Sequence, residues 1–191
     1  MVVAIVTICL IILFFISLIL RHIYRKKNHL PTGECACCKK VNTSKIYKEY
    51  RKKYPLTIGW RIKQHCKIID RYVDGDEKVE YVFYGQKNEG SFDFANTYVI
   101  ALTNKRIVLG TKRVLFGHFF KSVMPDMYND STVHSGLIWG RIIIDTVKEK
   151  ILLTNIDPNA LSEIEDHITE GMAKMKCQSA IDCKNQSEGR C

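Results

Sequence analysis

The chain has 191 residues, of which 46% are hydrophobic and 26% charged, a composition that excludes a polar, disordered chain and favours a folded domain. Its 29 Lys and Arg outnumber its 20 Asp and Glu, for a net charge of +9. Thirteen of the basic residues lie between Arg21 and Lys63, where there are only two acidic residues, whereas residues 64–191 have a balance of −2. The protein is therefore not uniformly basic, and we expect no nucleic-acid partner.

The chain begins with an uncharged apolar run over residues 2–20, in which only Thr7, Cys9 and Ser17 are mildly polar. As a helix with a rise of about 1.5 Å per residue, this run reaches roughly 30 Å, the thickness of the hydrocarbon core of a bilayer. A cleaved signal peptide has basic residues before its apolar run and small residues after it. Here the run is followed by RHIYRKK. Residues 1–20 are therefore predicted to be an uncleaved transmembrane helix.

The charges that flank this predicted span indicate its orientation. Basic residues follow it and none precedes it, and such residues remain on the cytoplasmic side. We therefore expect a single-pass protein with its N-terminus outside and its C-terminal domain in the cytoplasm. Residues 21–56 are predicted to be a basic juxtamembrane linker on the anionic inner leaflet. The candidate membrane-surface residues are Arg21, Arg25, Lys26, Lys27, Lys39, Lys40, Lys45, Lys48, Arg51, Lys52 and Lys53.

The linker contains the sequence ECACCKK, in which Cys35, Cys37 and Cys38 are closely spaced. Structural disulfides are uncommon in the cytoplasm, and structural zinc sites usually have the C-x-x-C spacing that this cluster lacks. The cluster is compatible with plain thiols on a linker, with a soft-metal site or with an acylated site. No cofactor is predicted, but a metal- or redox-responsive membrane protein is the alternative function.

Two helices are predicted before the first strand. Residues 44–54, SKIYKEYRKKY, place Ile46 and three tyrosines on one face, which suits either a membrane interface or the surface of a folded domain. After a proline, Thr57 is a suitable cap for a second helix, whose single apolar stripe ends at Asp74. The stripe consists of Ile58, Ile62, Cys66, Ile69 and Val73.

A series of strands follows this second helix. Runs of β-branched and aromatic residues are separated by short turns, a pattern typical of antiparallel hairpins. A further strand is expected within residues 124–133. The six clearer runs are residues 78–86, 97–103, 105–111, 113–123, 136–147 and 150–156.

A last helix is predicted after the strands. Asp157 is a suitable N-cap and Pro158 occupies the first helical position. Glu163 and His167 are four residues apart, which predicts a surface pair. Residues 177–191 are polar and are predicted to form a disordered tail. The apolar face of the helix consists of Leu161, Ile164, Ile168 and Met172.

Motifs of the common enzyme classes are not found in the sequence. It has no G-x-x-x-x-G-K, G-x-G-x-x-G, G-x-S-x-G or H-E-x-x-H motif. The acidic stretch DRYVDGDE lacks the alternate spacing of a calcium-binding loop and is better interpreted as a helix end and turn. We therefore predict that the protein is not an enzyme.

The sequence YVIALTNKRIVLG places a TN turn between two strands, with Arg106 opening the second. With about seven strands followed by one helix, this order resembles the bacterial PH-like domains, especially the YokE-like group. The resemblance implies an α+β fold, a partly open antiparallel barrel capped by a C-terminal helix, over residues 57–176 with the leading helix included. It also implies binding to a membrane or a protein rather than catalysis. We therefore expect a cytoplasmic interaction module with the membrane and an unidentified protein as partners.

Overall fold

The computed structural model describes residues 42–87, 96–114 and 117–188. Among them, no helix is both long and apolar enough to cross a bilayer. The predicted span at residues 2–20 lies outside this range. The helices described are α1 (Thr43–Lys53), α2 (Ile62–Tyr72) and α3 (Leu161–Glu188), and the strands are β1 (Val79–Gln86), β2 (Thr97–Thr103), β3 (Ile107–Lys112), β4 (His118–Val123), β5 (Tyr128–His134), β6 (Gly140–Thr146) and β7 (Lys150–Ile156).

The seven strands form one antiparallel sheet in the order β4-β3-β2-β1-β7-β6-β5. The central strands β1 and β7 meet at one residue pair, Gln86 with Thr154, so the sheet consists of two halves joined at this point. The edge strands β4 and β5 are not paired with each other, which leaves the sheet open between them. This arrangement confirms the predicted seven-stranded antiparallel fold.

The first half of the sheet, β1 to β4, is covered on both faces. Residues paired across neighbouring strands share a face, so the register places Tyr84 and Val99 on the face of Gly110. A Cβ atom at Gly110 would lie 2.9 Å from Ile69 Cγ1 of α2, so this face packs against the N-terminal helices. Leu102 lies on the opposite face and contacts α3 at Gly171. The near-continuous apolar runs of β1, β2 and β3 follow from this two-sided burial.

The described residues cover the second half, β5 to β7, on one face only. Its strands alternate between buried and more exposed residues, as expected when one face meets solvent. Helix α3 packs against β5, β6 and β2 and thus contacts both halves. Asp157 caps a short 3-10 helix, Pro158–Ala160, that leads directly into α3. As predicted, the buried face of α3 consists of Leu161, Ile164, Ile168 and Met172, and it extends to Met175.

The structure corrects the boundaries predicted for the folded domain. Residues 43–56 were assigned to the linker, but α1 packs its tyrosines into the hydrophobic core. The tail predicted from Cys177 is instead helical as far as Glu188, as a continuation of α3.

Two further predictions about element ends were wrong. The second helix begins at Ile62 after Arg61, which has a positive φ of 54°, so Thr57 is not its cap. Thr57 is instead buried between α1 and the start of α3, where its Oγ1 accepts a hydrogen bond of 3.0 Å from the Asp157 amide. Within the run predicted as one strand over residues 113–123, the described strand is His118–Val123, and Gly117 before it has a φ of 84°.

Candidate functional site

Helix α1 divides its side chains between the core and the surface. Tyr47, Tyr50 and Tyr54 are 8% exposed or less, and the Tyr50 ring lies 5.3 Å from the ring of Tyr84 on β1, centroid to centroid. The structure thus decides between the two interpretations of this helix, since its tyrosines pack on the domain. The side chains on the other faces are exposed, and they are Lys45, Lys48, Glu49, Arg51, Lys52 and Lys53.

Helix α2 adds a second basic row beside the first. Lys63, Lys67 and Arg71 recur every four residues and are exposed, while the opposite face of the helix packs on β3. The two helices contact each other, and the Thr43 amide donates a hydrogen bond of 3.0 Å to Asp70 Oδ1. We call residues 43–72 the basic layer. It contains nine Lys and Arg and two acidic residues, a net charge of +7.

The α2 residues were missing from the sequence prediction of the membrane surface. That prediction ended with α1, because α2 was considered only for its apolar stripe. A usable signal was present, since the i, i+4, i+8 spacing of Lys63, Lys67 and Arg71 places them on one helical face, away from Cys66 and Ile69. Cys66 is fully buried, as the stripe predicted.

Most cations of the basic layer have no anionic partner within the described part of the chain. Lys53 is the exception, because it pairs with Glu163 of α3, which also accepts a hydrogen bond of 2.5 Å from the Tyr54 hydroxyl. Glu163 was predicted to pair with His167, but the His167 ring stacks on Tyr81 at 4.0 Å between ring centroids. The cations for which no ion pair to a described residue is found are Lys45, Lys48, Arg51, Lys52, Arg61, Lys63, Lys67 and Arg71.

A buried histidine of the basic layer forms a hydrogen bond with the sheet. His65 of α2 is 2% exposed, and its Nδ1 accepts a hydrogen bond of 2.7 Å from the Lys112 amide. Its Nε2 lies 2.9 Å from the Trp60 carbonyl oxygen, which can only accept, so Nε2 carries the proton. Burial lowers the pKa of His65 to about 4. The ring is therefore neutral at pH 7, and it contributes hydrogen bonds rather than charge.

Arg106, the basic residue of the TNKR turn, is committed to the fold. Its Nε and Nη2 donate to the two carboxylate oxygens of Glu77 at 3.1 and 3.0 Å, and Nη2 also donates to the Tyr72 carbonyl at 3.2 Å. Thr103 Oγ1 donates to the same carboxylate at 2.6 Å. Since the Glu77 side chain is fully buried, Arg106 is a structural residue and is not free to bind a ligand.

The other predicted site residues lie outside the described part of the chain. These include the cluster Cys35, Cys37 and Cys38, whose metal- or redox-responsive role stays a prediction. In the described residues, no three His, Cys, Asp or Glu side chains are grouped as a metal site requires. The remaining membrane-surface candidates outside this part are Arg21, Arg25, Lys26, Lys27, Lys39 and Lys40.

A groove of about 500 Å³ lies between α3 and the sheet. It is lined by Glu80 and Leu102 on the sheet and by His167, Lys174 and Cys177 on the helix. The His167 ring stacks on Tyr81. No ion pair or hydrogen bond is found among the groove-lining side chains Glu80, His167, Lys174 and Cys177. The groove therefore offers no arrangement of nucleophile and base, and the basic layer is the better candidate for a site of interaction.

Comparison with known protein families finds a match. The family described as the bacterial PH domain matches residues 73–170, which begin directly after the basic layer and end within α3. Comparison with curated proteins gives no match. PH domains are non-catalytic binding modules, and the match covers all seven strands and the start of the capping helix. The chain therefore belongs to the bacterial PH domain family.

Proposed function

We propose that the protein is a single-pass membrane protein whose cytoplasmic PH domain is an interaction module at the anionic inner leaflet. The basic layer is the observation that carries this proposal. It presents two adjacent rows of cations, and each Lys or Arg near an anionic membrane contributes about 1 kcal/mol to binding. The layer precedes the residues that match the family, so its charge is a feature of this chain beyond the PH core.

The proposal is also supported by the sequence before the described residues. The uncharged run at residues 2–20 is long enough to span a bilayer, and the basic residues after it favour a cytoplasmic position for everything that follows. The candidate residues Arg21, Arg25, Lys26, Lys27, Lys39 and Lys40 add six cations to the sequence between the predicted anchor and the basic layer. The turn sequence LTNKRIVL supports placing the domain in the YokE-like group. A protein partner at the same surface is part of the proposal, as the PH fold serves both kinds of binding.

The proposal is tested with the compact unit Lys39–Cys191, which contains the whole described core and lacks the predicted anchor. We expect it to sediment with vesicles that contain anionic phosphatidylglycerol at low salt, and not with vesicles of phosphatidylcholine alone. Binding should weaken as salt rises, because the Debye length falls from about 30 Å at 0.01 M to about 10 Å at 0.1 M. Failure to bind anionic vesicles at low salt would contradict the proposal.

A matched pair of variants tests whether the basic layer is the surface that binds. Lys48→Gln with Lys52→Gln removes two exposed charges from α1, and we expect vesicle binding to weaken by about 30-fold. Lys78→Gln with Lys174→Gln removes two exposed charges outside the layer and should change binding little. Equal effects of the two pairs would show that net charge, rather than the basic layer, determines binding.

A further inference from the structure

The turn between β5 and β6 exposes three consecutive large apolar side chains. Leu137 is 100% exposed, Ile138 58% and Trp139 40%. The strands that hold this turn bury their own apolar residues, as Ile142 and Ile144 are fully inaccessible. We call residues 135–139 the apolar tip. The described fold does not cover it, and a continuous exposed apolar patch marks a site of interaction.

Within the β5–β6 hairpin, the charge next to the apolar tip is positive. Residues 131–144 contain no Asp or Glu, and their one full charge is on Arg141, which is exposed and pairs across the hairpin with His134. An apolar centre with a cationic flank suits the boundary between anionic headgroups and acyl chains. A tryptophan side chain also prefers that depth, because its ring is apolar and its N–H is polar.

The backbone places the apolar tip at the same end of the fold as the last turn of α1. Gly140, next to Trp139, pairs with Ile156 at the end of β7. The following residue, Asp157, accepts a hydrogen bond of 3.3 Å from the Leu56 amide. Leu56 is 54% exposed and follows the C-terminal basic residues of α1 in the chain, so its hydrogen bond to Asp157 joins this end of the basic layer to the segment that pairs with Gly140.

Some of the acidic residues at this end of the fold are buried or already paired. Asp157 is buried, and Glu163 forms an ion pair with Lys53 and accepts a hydrogen bond from the Tyr54 hydroxyl. Glu165 and Asp166 follow in the second turn of α3.

We propose that the apolar tip inserts into the headgroup–acyl boundary of an anionic leaflet, as a second contact beside the basic layer. This inference rests on the proposed function. A protein partner is the weaker alternative, because a stable protein interface buries about 800 Å² on each side, with matched polar groups. Three side chains on a narrow turn present much less than this, whereas a bilayer requires no matching shape.

The chain contains two tryptophans, Trp60 and Trp139, so each can serve as a single reporter. The Trp60→Phe variant of the full chain is reconstituted into vesicles of phosphatidylcholine and phosphatidylglycerol, with and without bromine on the acyl chains. We expect brominated lipid to quench the emission of Trp139 by at least twofold. In the Trp139→Phe variant we expect weaker quenching of Trp60, which is 47% exposed within the basic layer, because that layer is expected to contact the headgroups and not the brominated acyl chains.

A second pair of variants in the Trp60→Phe background tests the tip itself. Leu137→Ser with Ile138→Ser should abolish the quenching of Trp139, because the tip loses two of its three large apolar side chains. Both residues are exposed, so the substitutions leave the core intact. Val147→Ser removes an apolar side chain that is 68% exposed at the β6–β7 turn, and it should leave the quenching unchanged.

The outcomes separate this inference from the proposed function. Suppose that residues 39–191 bind anionic vesicles but Trp139 is not quenched in the full chain. The proposed insertion of the apolar tip is then wrong, and the proposed membrane binding by the basic layer is retained. If residues 39–191 fail to bind while Trp139 of the full chain is quenched, the tip inserts and the role of the basic layer is wrong. An unquenched Trp139 together with a dimer that Leu137→Ser and Ile138→Ser dissociate would identify the tip as a contact between copies, and would overturn the inference.

Discussion

Arg106 and Glu77 form a buried, two-point ion pair that joins the β2–β3 turn to the segment between α2 and β1. Both carboxylate oxygens of Glu77 accept hydrogen bonds from the guanidinium, at 3.1 and 3.0 Å. Burial alone would raise the pKa of Glu77, but the hydrogen bonds from Arg106 and Thr103 outweigh it and hold this pKa below its usual value. The conspicuous arginine of the turn motif thus stabilises the fold and, through the Tyr72 carbonyl, the end of the basic layer.

Arg106→Ala should lower the free energy of unfolding by about 3–5 kcal/mol, because it leaves the buried Glu77 carboxylate without its cation. Urea denaturation of residues 39–191 at pH 7 measures this change. Lys105→Ala is the matched control, since Lys105 pairs with Asp76 at the exposed surface and should contribute little. If the two variants are equally stable, the pair between Arg106 and Glu77 is not a stabilising contact.

The stability of the domain should fall as the pH decreases from about 6.5 toward 4. His65 has a pKa of about 4 in the folded chain against an ordinary value of 6.5, so the unfolded chain binds more protons in this range. The stabilisation from neutral His65 is therefore complete above pH 6.5 and is lost as the pH falls through 4. Urea midpoints measured at a series of pH values test this expectation.

His65→Asn is the control for the pH dependence, because asparagine does not titrate but can still accept from the Lys112 amide. We expect this variant to be less stable at pH 7 by about 1–3 kcal/mol and to lose less stability between pH 6.5 and 4 than the wild type. If the two pH profiles are parallel, His65 is not responsible for the slope.

Gly59→Ala should loosen the packing of α1 on the sheet. A Cβ atom at Gly59 would lie 2.5 Å from Tyr84 Cδ2, and the Tyr84 ring, which is 1% exposed, already packs on Tyr50. Overpacking of this kind costs about 1–3 kcal/mol. The near-ultraviolet circular dichroism of the tyrosines should also change. Gly117→Ala is the comparison, since its cost comes from a φ of 84° in open space and should leave the tyrosine signal unchanged.

The cluster Cys35, Cys37 and Cys38 should hold no structural metal. Its spacing lacks the C-x-x-C geometry that directs two sulfurs to one ion. We expect the full chain, purified under reducing conditions, to contain zinc well below one atom per chain, and the variant with all three cysteines changed to serine to fold with unchanged stability. One zinc per chain, lost in the triple variant, would support the metal-responsive alternative.

The local pattern of the sequence was sufficient for much of this fold. Short turns such as the TN pair between β2 and β3 divide the strands, and the spacing of Leu161, Ile164, Ile168 and Met172 determines which face of α3 is buried. The order of these elements was also enough to indicate the PH family. Such features follow from the sequence because helical and strand periodicities repeat over a few residues.

Only the tertiary structure decided what each apolar face packs against. The tyrosines of α1 suited a membrane as well as a protein core, and the choice depended on a sheet face that includes Tyr84 and Val99, about 30 to 50 residues away in the chain. The contacts of Arg106 with Glu77 and of His65 with Lys112 likewise join residues far apart in sequence. Periodicity shows that a face of a helix or strand will be buried. The surface that covers this face is determined by long-range packing between residues that are distant in the chain, and a local sequence pattern contains no information about it.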